Sequence, residues 1–167
     1  MSNTNANGFL PDSYEAPKTQ SAYMKFEQGD NKFRILASPI IGWLDWEDKK
    51  PIRTRLDNKP SKPIDPAKPI KQFWALPVFD YKDNKVKVLE ITQKGIISSL
   101  TELARSTEWG SPINYDLNVK KTGEKMTTEY QLIPSPPKPL SNAVKVVWES
   151  TKINMFALFE NGDPFAG

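Results

Sequence analysis

Cysteine and histidine are both missing from the 167-residue chain. Their absence excludes disulfides, thiolate or imidazole zinc sites, cysteine nucleophiles and every acid–base scheme that needs an imidazole. A bound metal would have to rest on carboxylates alone. No apolar run comes near the roughly 18 residues of a membrane-spanning helix. Residues 1–20 have neither the basic start nor the apolar stretch of a signal peptide. The chain is therefore expected to stay in the cytoplasm, away from membranes, and to need no cofactor.

What is present suits one compact domain with tails. The net charge of +3 hides an uneven distribution. From Lys32 to Lys138 there are 19 Lys or Arg against 13 Asp or Glu, whereas the remaining residues hold 4 against 7. A basic middle between acidic ends suits a polyanionic partner.

Residues 1–28 are polar, contain Pro11 and Pro17 and show no sustained period, so a flexible arm is expected. Gly29-Asp30-Asn31 reads as a turn before a strand over residues 32–37, and a second extended piece over residues 40–46 follows Pro39. Gly42 within it suggests a bulge or bend. Residues 48–71 form a long basic loop with Pro51, Pro60, Pro63, Pro66 and Pro69, too rich in proline for a helix or central strand. Strands are predicted over 73–81, where Pro77 points to an edge or bulge, and over 86–91, joined as a hairpin. Thr92 reads as the N-cap of a helix whose stripe is Ile96, Ile97, Leu100, Leu103 and Ala104. A last hairpin spans Tyr115 to Ile133, with a turn at Gly123. Beyond the domain, expected over residues 29–139, residues 140–167 begin with a short helix capped by Ser141. An apolar cluster and a tail follow.

If the first two pieces are one bent strand, the order becomes β-β-β-α-β-β. That is the order of an OB-fold, a mainly β five-stranded Greek-key barrel with a helix after its third strand. The basic loop then falls between the first two strands, where this fold commonly grips oligonucleotides.

Sequence-independent binding of single strands needs cations along the phosphates and flat side chains against the bases. Both kinds interleave here. Trp43 and Trp46 precede the loop, Arg53 and Arg55 lie in it, and Lys71, Phe73 and Trp74 leave it, with Phe79 and Tyr81 further along. Lys120 adds a cation on the last hairpin. Aromatic residues in strands more often fill cores than touch ligands, and alternation alone does not say whether Phe73, Phe79 and Tyr81 or Trp74, Leu76 and Val78 face inward. Asp80, Glu90 and Lys94 invite a metal-nuclease reading, but the spacing is wrong for it, and no catalytic residue is expected.

The sequence Gly29-x-Asn31-x-Phe33-Arg34-Ile35-Leu36 is followed by Gly42-Trp43-x-x-Trp46, Pro51-x-Arg53 and Lys71-x-Phe73-Trp74-Ala75. Leu89-Glu90-Ile91-Thr92-Gln93-Lys94, Trp109-Gly110-x-Pro112, Tyr115-Asp116-Leu117, Gly123 and Thr128-x-Tyr130 come later. In this order, from Gly29 to Phe165, they resemble the bacteriophage single-stranded DNA-binding proteins built on an OB-fold. The resemblance implies a protein that coats single-stranded DNA during phage replication or recombination in an infected bacterial host. The end of the chain resembles the acidic, Phe-ended tips through which such proteins recruit replication or recombination partners. Glu160, Asp163, Pro164 and Phe165 would be the contacts, with fewer acids than such tips usually carry. The other readings are an RNA-binding barrel and a protein-interaction module acting through the tail.

Overall fold

Short runs rich in β-branched and aromatic residues recur between turn signals along the chain. The computed structural model describes Phe9 and residues 22–166, and the fold is mainly β. Most of the arm expected over residues 1–28 therefore lies outside the described residues. In order the elements are β1 (Gly29–Ile35), β2 (Ile40–Glu47), β3 (Lys50–Arg55), β4 (Lys71–Asp80), β5 (Lys85–Ile91), α1 (Lys94–Arg105), β6 (Asp116–Thr122), β7 (Glu129–Pro134) and α2 (Asn142–Glu149). A 3-10 segment follows over Met155–Glu160.

The seven strands make one antiparallel sheet in the order β3-β2-β4-β1-β6-β7, with β5 also paired to β4. Residues 74–75 of β4 pair with both β2 and β5, and residues 78–80 with both β1 and β5. Thus β1 and β2 lie end to end along one edge of β4, as a single bent strand would. Among the described residues no pairing joins β5 to β7, so the sheet is open. Instead α1 packs its buried Ile96 and Leu100 into the core that Tyr130 and Leu132 of β7 help to close.

Pro77 is not on an edge strand; it stands at the irregular break between β1 and β2, where residues 36–39 oppose residues 76–77. Its carbonyl accepts from the Leu36 amide at 2.9 Å, so its nitrogen faces the same side, where β1 has ended and β2 has not begun. The missing N–H falls where the ladder breaks, and the Leu36–Pro77 pair keeps one bond where an amide would allow two.

Two other expectations change. Gly42 is not a bulge, because the register runs unbroken through it, to Phe73 on one side and Arg55 on the other. A Cβ there would lie 2.2 Å from the Thr54 carbonyl oxygen and 3.0 Å from the Phe159 and Phe73 rings. Close packing requires the glycine. Thr92 does not cap α1 either: Gln93 occupies that position without a side-chain cap bond. Ser141 does cap α2, its hydroxyl accepting from the Val144 amide at 3.3 Å.

The expected loop over residues 48–71 begins as structure. Asp48 and Lys49 both have positive φ (50° and 66°), the conformation of a two-residue type I′ turn, and β3 runs back along β2. Pro51 sits opposite Trp46 on this edge strand, one pair beyond the hydrogen-bonded Glu47–Lys50 closure. Its nitrogen faces outward, where no donor is required.

Both faces of β4 are buried. Leu76 and Val78 enter the core beneath α1, with Phe33, Ile35, Leu89, Ile91, Leu117 and Val119. Phe73 and Ala75 on the other face pack with Met155 and Leu158 of the 3-10 segment. Phe79 on that face packs with Val144 of α2. The C-terminal segment is thus the second layer that the sheet's outer face needs.

Candidate nucleic-acid interface

The β2–β3 hairpin gathers the aromatic and basic residues of the central sequence. Leu44 is flanked by Arg53 on β3 and Lys71 on β4, and Trp43 by Thr54 and Gln72. Two pairs further on, Ile41 stands beside Trp74. The unbulged register sends Trp43 and Trp46, three residues apart, to opposite faces.

Each tryptophan is half-buried and carries a lysine ammonium over its ring. Lys59 lies 4.5 Å from the Trp43 centroid and Lys68 5.5 Å from that of Trp46. Both distances are within cation–π range. The Trp43 indole N–H donates to the Leu56 carbonyl at 2.9 Å, which fixes the ring. The returning loop is tied down by Asp45, whose buried carboxylate accepts from the Ile64 amide at 3.2 Å. Trp74 is half-buried at the margin of the main core, donating to Gln72 at 3.1 Å.

The candidate cations differ in availability. Arg53 is 11% exposed and forms a bidentate pair with Glu90, with Nε–Oε2 2.7 Å and Nη2–Oε1 3.0 Å. Burial works against its charge, but the hydrogen bonds and charge of Glu90 outweigh that, and its pKa lies above the ordinary value. Arg55 is exposed and makes no ion pair among the described residues. Its guanidinium rests 4.7 Å from the Phe159 ring and 5.6 Å from that of Phe156. Lys71 is exposed, also without an ion pair among the described residues.

Several sequence-derived candidates stand elsewhere. Phe73 has no exposed surface and Phe79 has 4%. They are core residues with no face to offer a base. Tyr81 is half-buried; its hydroxyl donates to Asp116 at 2.6 Å. Burial, and then that hydrogen bond and the Asp116 charge, push its pKa far above the ordinary tyrosine value. Lys120 is exposed on β6, across the sheet from the hairpin. At the tail, Glu160 and Asp163 are exposed, Pro164 is buried and Phe165 packs half-buried against the protein's own clusters. The Asn154 amide donates to the Pro164 carbonyl at 2.8 Å, folding the tip back onto the domain.

The register also separates the acids of the nuclease reading. Asp80 pairs with Lys85 and Glu90 with Ala75, so the two carboxylates project from opposite faces. Lys87 holds Asp80 at 3.0 Å and Arg53 holds Glu90.

A cleft of about 860 Å³ opens beside the hairpin. Tyr23 and Lys25 line one side, Lys50 and Arg53 another, and Leu158 and Asn161 a third. Sequence reasoning missed Tyr23, Lys25 and Asn161. The only local sign was the short alternation Tyr23-Met24-Lys25-Phe26, and Tyr23 reaches the cleft through a parallel bridge to Val88 on β5.

No protein-family profile, curated protein or solved structure matches the chain.

Proposed function

We propose that the protein binds single-stranded DNA without sequence preference, through the β2–β3 hairpin and the strands beside it. The observation that carries the reading is that the hairpin's two tryptophans meet cations from the following loop, and that these cations have no ion pair among the described residues. Trp46 with Lys68 shares one face with the exposed Arg55 and Lys71, and Trp43 with Lys59 lies on the other, so each face carries a ring and a cation, the two requirements of this chemistry.

The architecture is read as an OB-type fold. The end-to-end placement of β1 and β2 along β4 supports this, as does the helix between β5 and β6. In that reading β3 is an insertion that stiffens the loop between the first two barrel strands. A role in phage replication or recombination, without catalysis, follows from the family resemblance and stands or falls with DNA binding.

The test is a titration of the intrinsic tryptophan fluorescence with oligo-dT at two salt concentrations. Stacking should quench the emission, and phosphate contacts should make affinity fall steeply with salt, with a slope of about −0.7 per phosphate neutralised. No binding at low salt would overturn the proposal. Tighter binding of oligo-rU than oligo-dT would favour an RNA ligand, distinguished by its 2′-hydroxyl.

A further inference from the structure

The Arg53–Glu90 pair stands in the wall of the cleft beside the hairpin. A guanidinium fork grips a carboxylate and a phosphate through the same two parallel N–H···O bonds. Glu90 therefore occupies the place that a phosphodiester would take on Arg53. The guanidinium has been carried across the Phe73 ring, 5.9 Å away, to reach it.

Charge around the pair is balanced. Lys25, Lys50 and Arg53 line the cleft against Glu47, Asp48 and Glu90. Glu47 and Asp48 lie exposed at the hairpin tip, in high dielectric, where their effect on a bound phosphate is weak. Glu90 is only 21% exposed and directly bonded, so it dominates what a polyanion meets on entering. Lys25 and Lys50 form no ion pair among the described residues and remain as flanking cations.

We infer that Arg53 is a phosphate seat in this cleft and that Glu90 is a built-in phosphate mimic that a DNA strand must displace to bind there. The inference rests on the single-stranded DNA reading and adds a sign to it. Glu90 weakens DNA binding, whereas a merely structural ion pair would leave affinity unchanged.

The experiment measures oligo-dT affinity and its salt slope for the full chain and for Glu90→Gln, Arg53→Gln and the double variant. Circular dichroism reports the fold. Glu90→Gln should raise affinity about three- to tenfold and steepen the slope by about one phosphate contact. Arg53→Gln should lower affinity, and adding it to Glu90→Gln should abolish the gain, the non-additivity expected of a coupled pair. Unchanged affinity in a folded Glu90→Gln overturns the inference, as does a gain that survives loss of Arg53. Should Glu90→Gln fail to fold, Glu90→Asp asks the same question, because one methylene fewer draws the carboxylate back from the guanidinium. Equal affinity there is also negative. If neither the wild type nor any variant binds at low salt, the DNA reading itself has failed. If the wild type binds and Glu90→Gln matches it, only the inference has.

Discussion

Two regions of the sheet use basic residues in opposite ways. At the β1–β6 end, the Asp116 side chain is 2% exposed and collects Tyr81 at 2.6 Å, Lys138 at 3.0 Å, Arg34 at 3.5 Å and Lys32 at 3.8 Å. Arg34, 3% exposed, also donates to the Ile113 and Lys138 carbonyls at 2.8 Å each. Around Asp116 charge ties the segment after β7 to the sheet, although Lys121 on β6 also lies over a ring, that of Tyr130, at 5.9 Å. At the β2–β3 end, Lys59, Lys68, Arg55 and Lys71 make no ion pair among the described residues, and three of them rest on aromatic rings. A cation over a ring keeps its charge, so this end keeps its field for an anionic partner. Arg53 lies between the two cases, at the functional end but neutralised by Glu90.

The largest effect should come from Asp116→Ala. It strips the partner from a buried arginine and leaves Arg34 uncompensated, a loss on the order of 3–5 kcal/mol. Denaturant unfolding reads it, and a loss below about 1 kcal/mol would mean that the cluster is not a structural anchor. The same carboxylate should set the acid limit. Burial pushes the Asp116 carboxyl up, but hydrogen bonds from Tyr81 and Lys138 and the charges of Lys138 and Arg34 outweigh it, so the pKa falls below its ordinary value. A depressed native pKa gives stability that is present above the unfolded value of about 3.9 and lost as pH falls through the native one. Thermal melts of the wild type should therefore weaken below about pH 4, with a flatter acid limb in Asp116→Ala. Equal acid limbs would assign that loss to other carboxylates.

The next effect belongs to the other end. Trp43→Ala combined with Arg55→Ala should cut oligo-dT affinity more than tenfold, because stacking alone contributes about 1–3 kcal/mol per base. Stability should change far less than in Asp116→Ala. Retained affinity with intact circular dichroism would remove the hairpin from the interface.

The smallest expected change sharpens the boundary between the regions. Lys120→Ala, on β6, should alter oligo-dT affinity less than about twofold. A loss equal to that of Arg55→Ala alone would extend the DNA path across β1 and β6 and dissolve the contrast.

Much of the strand sequence was legible because alternation and turn residues are local signals. The pairing of residues 73–81 with 86–91 and the last hairpin needed no tertiary information. The β2–β3 hairpin was hidden because its turn is Asp48-Lys49, without the Asn-Gly or Asp-Gly that announces a type I′ turn, and because proline density reads as loop. Pro51 is tolerated because its nitrogen faces outward from an edge strand, and Pro77 because its nitrogen faces the break between β1 and β2. That depends on which strands lie alongside.

The sequence by itself determined a cysteine- and histidine-free, mainly β chain with aromatic and basic residues gathered in its middle. These are properties of composition and short-range pattern. Tertiary structure alone decided which of those residues are available. Phe73 and Phe79 went into the core because the C-terminal segment folds back over the sheet's second face, Arg53 met a carboxylate 37 residues away in the chain, and Arg55 did not. Alternation says that two faces exist, but only long-range packing says what covers each one.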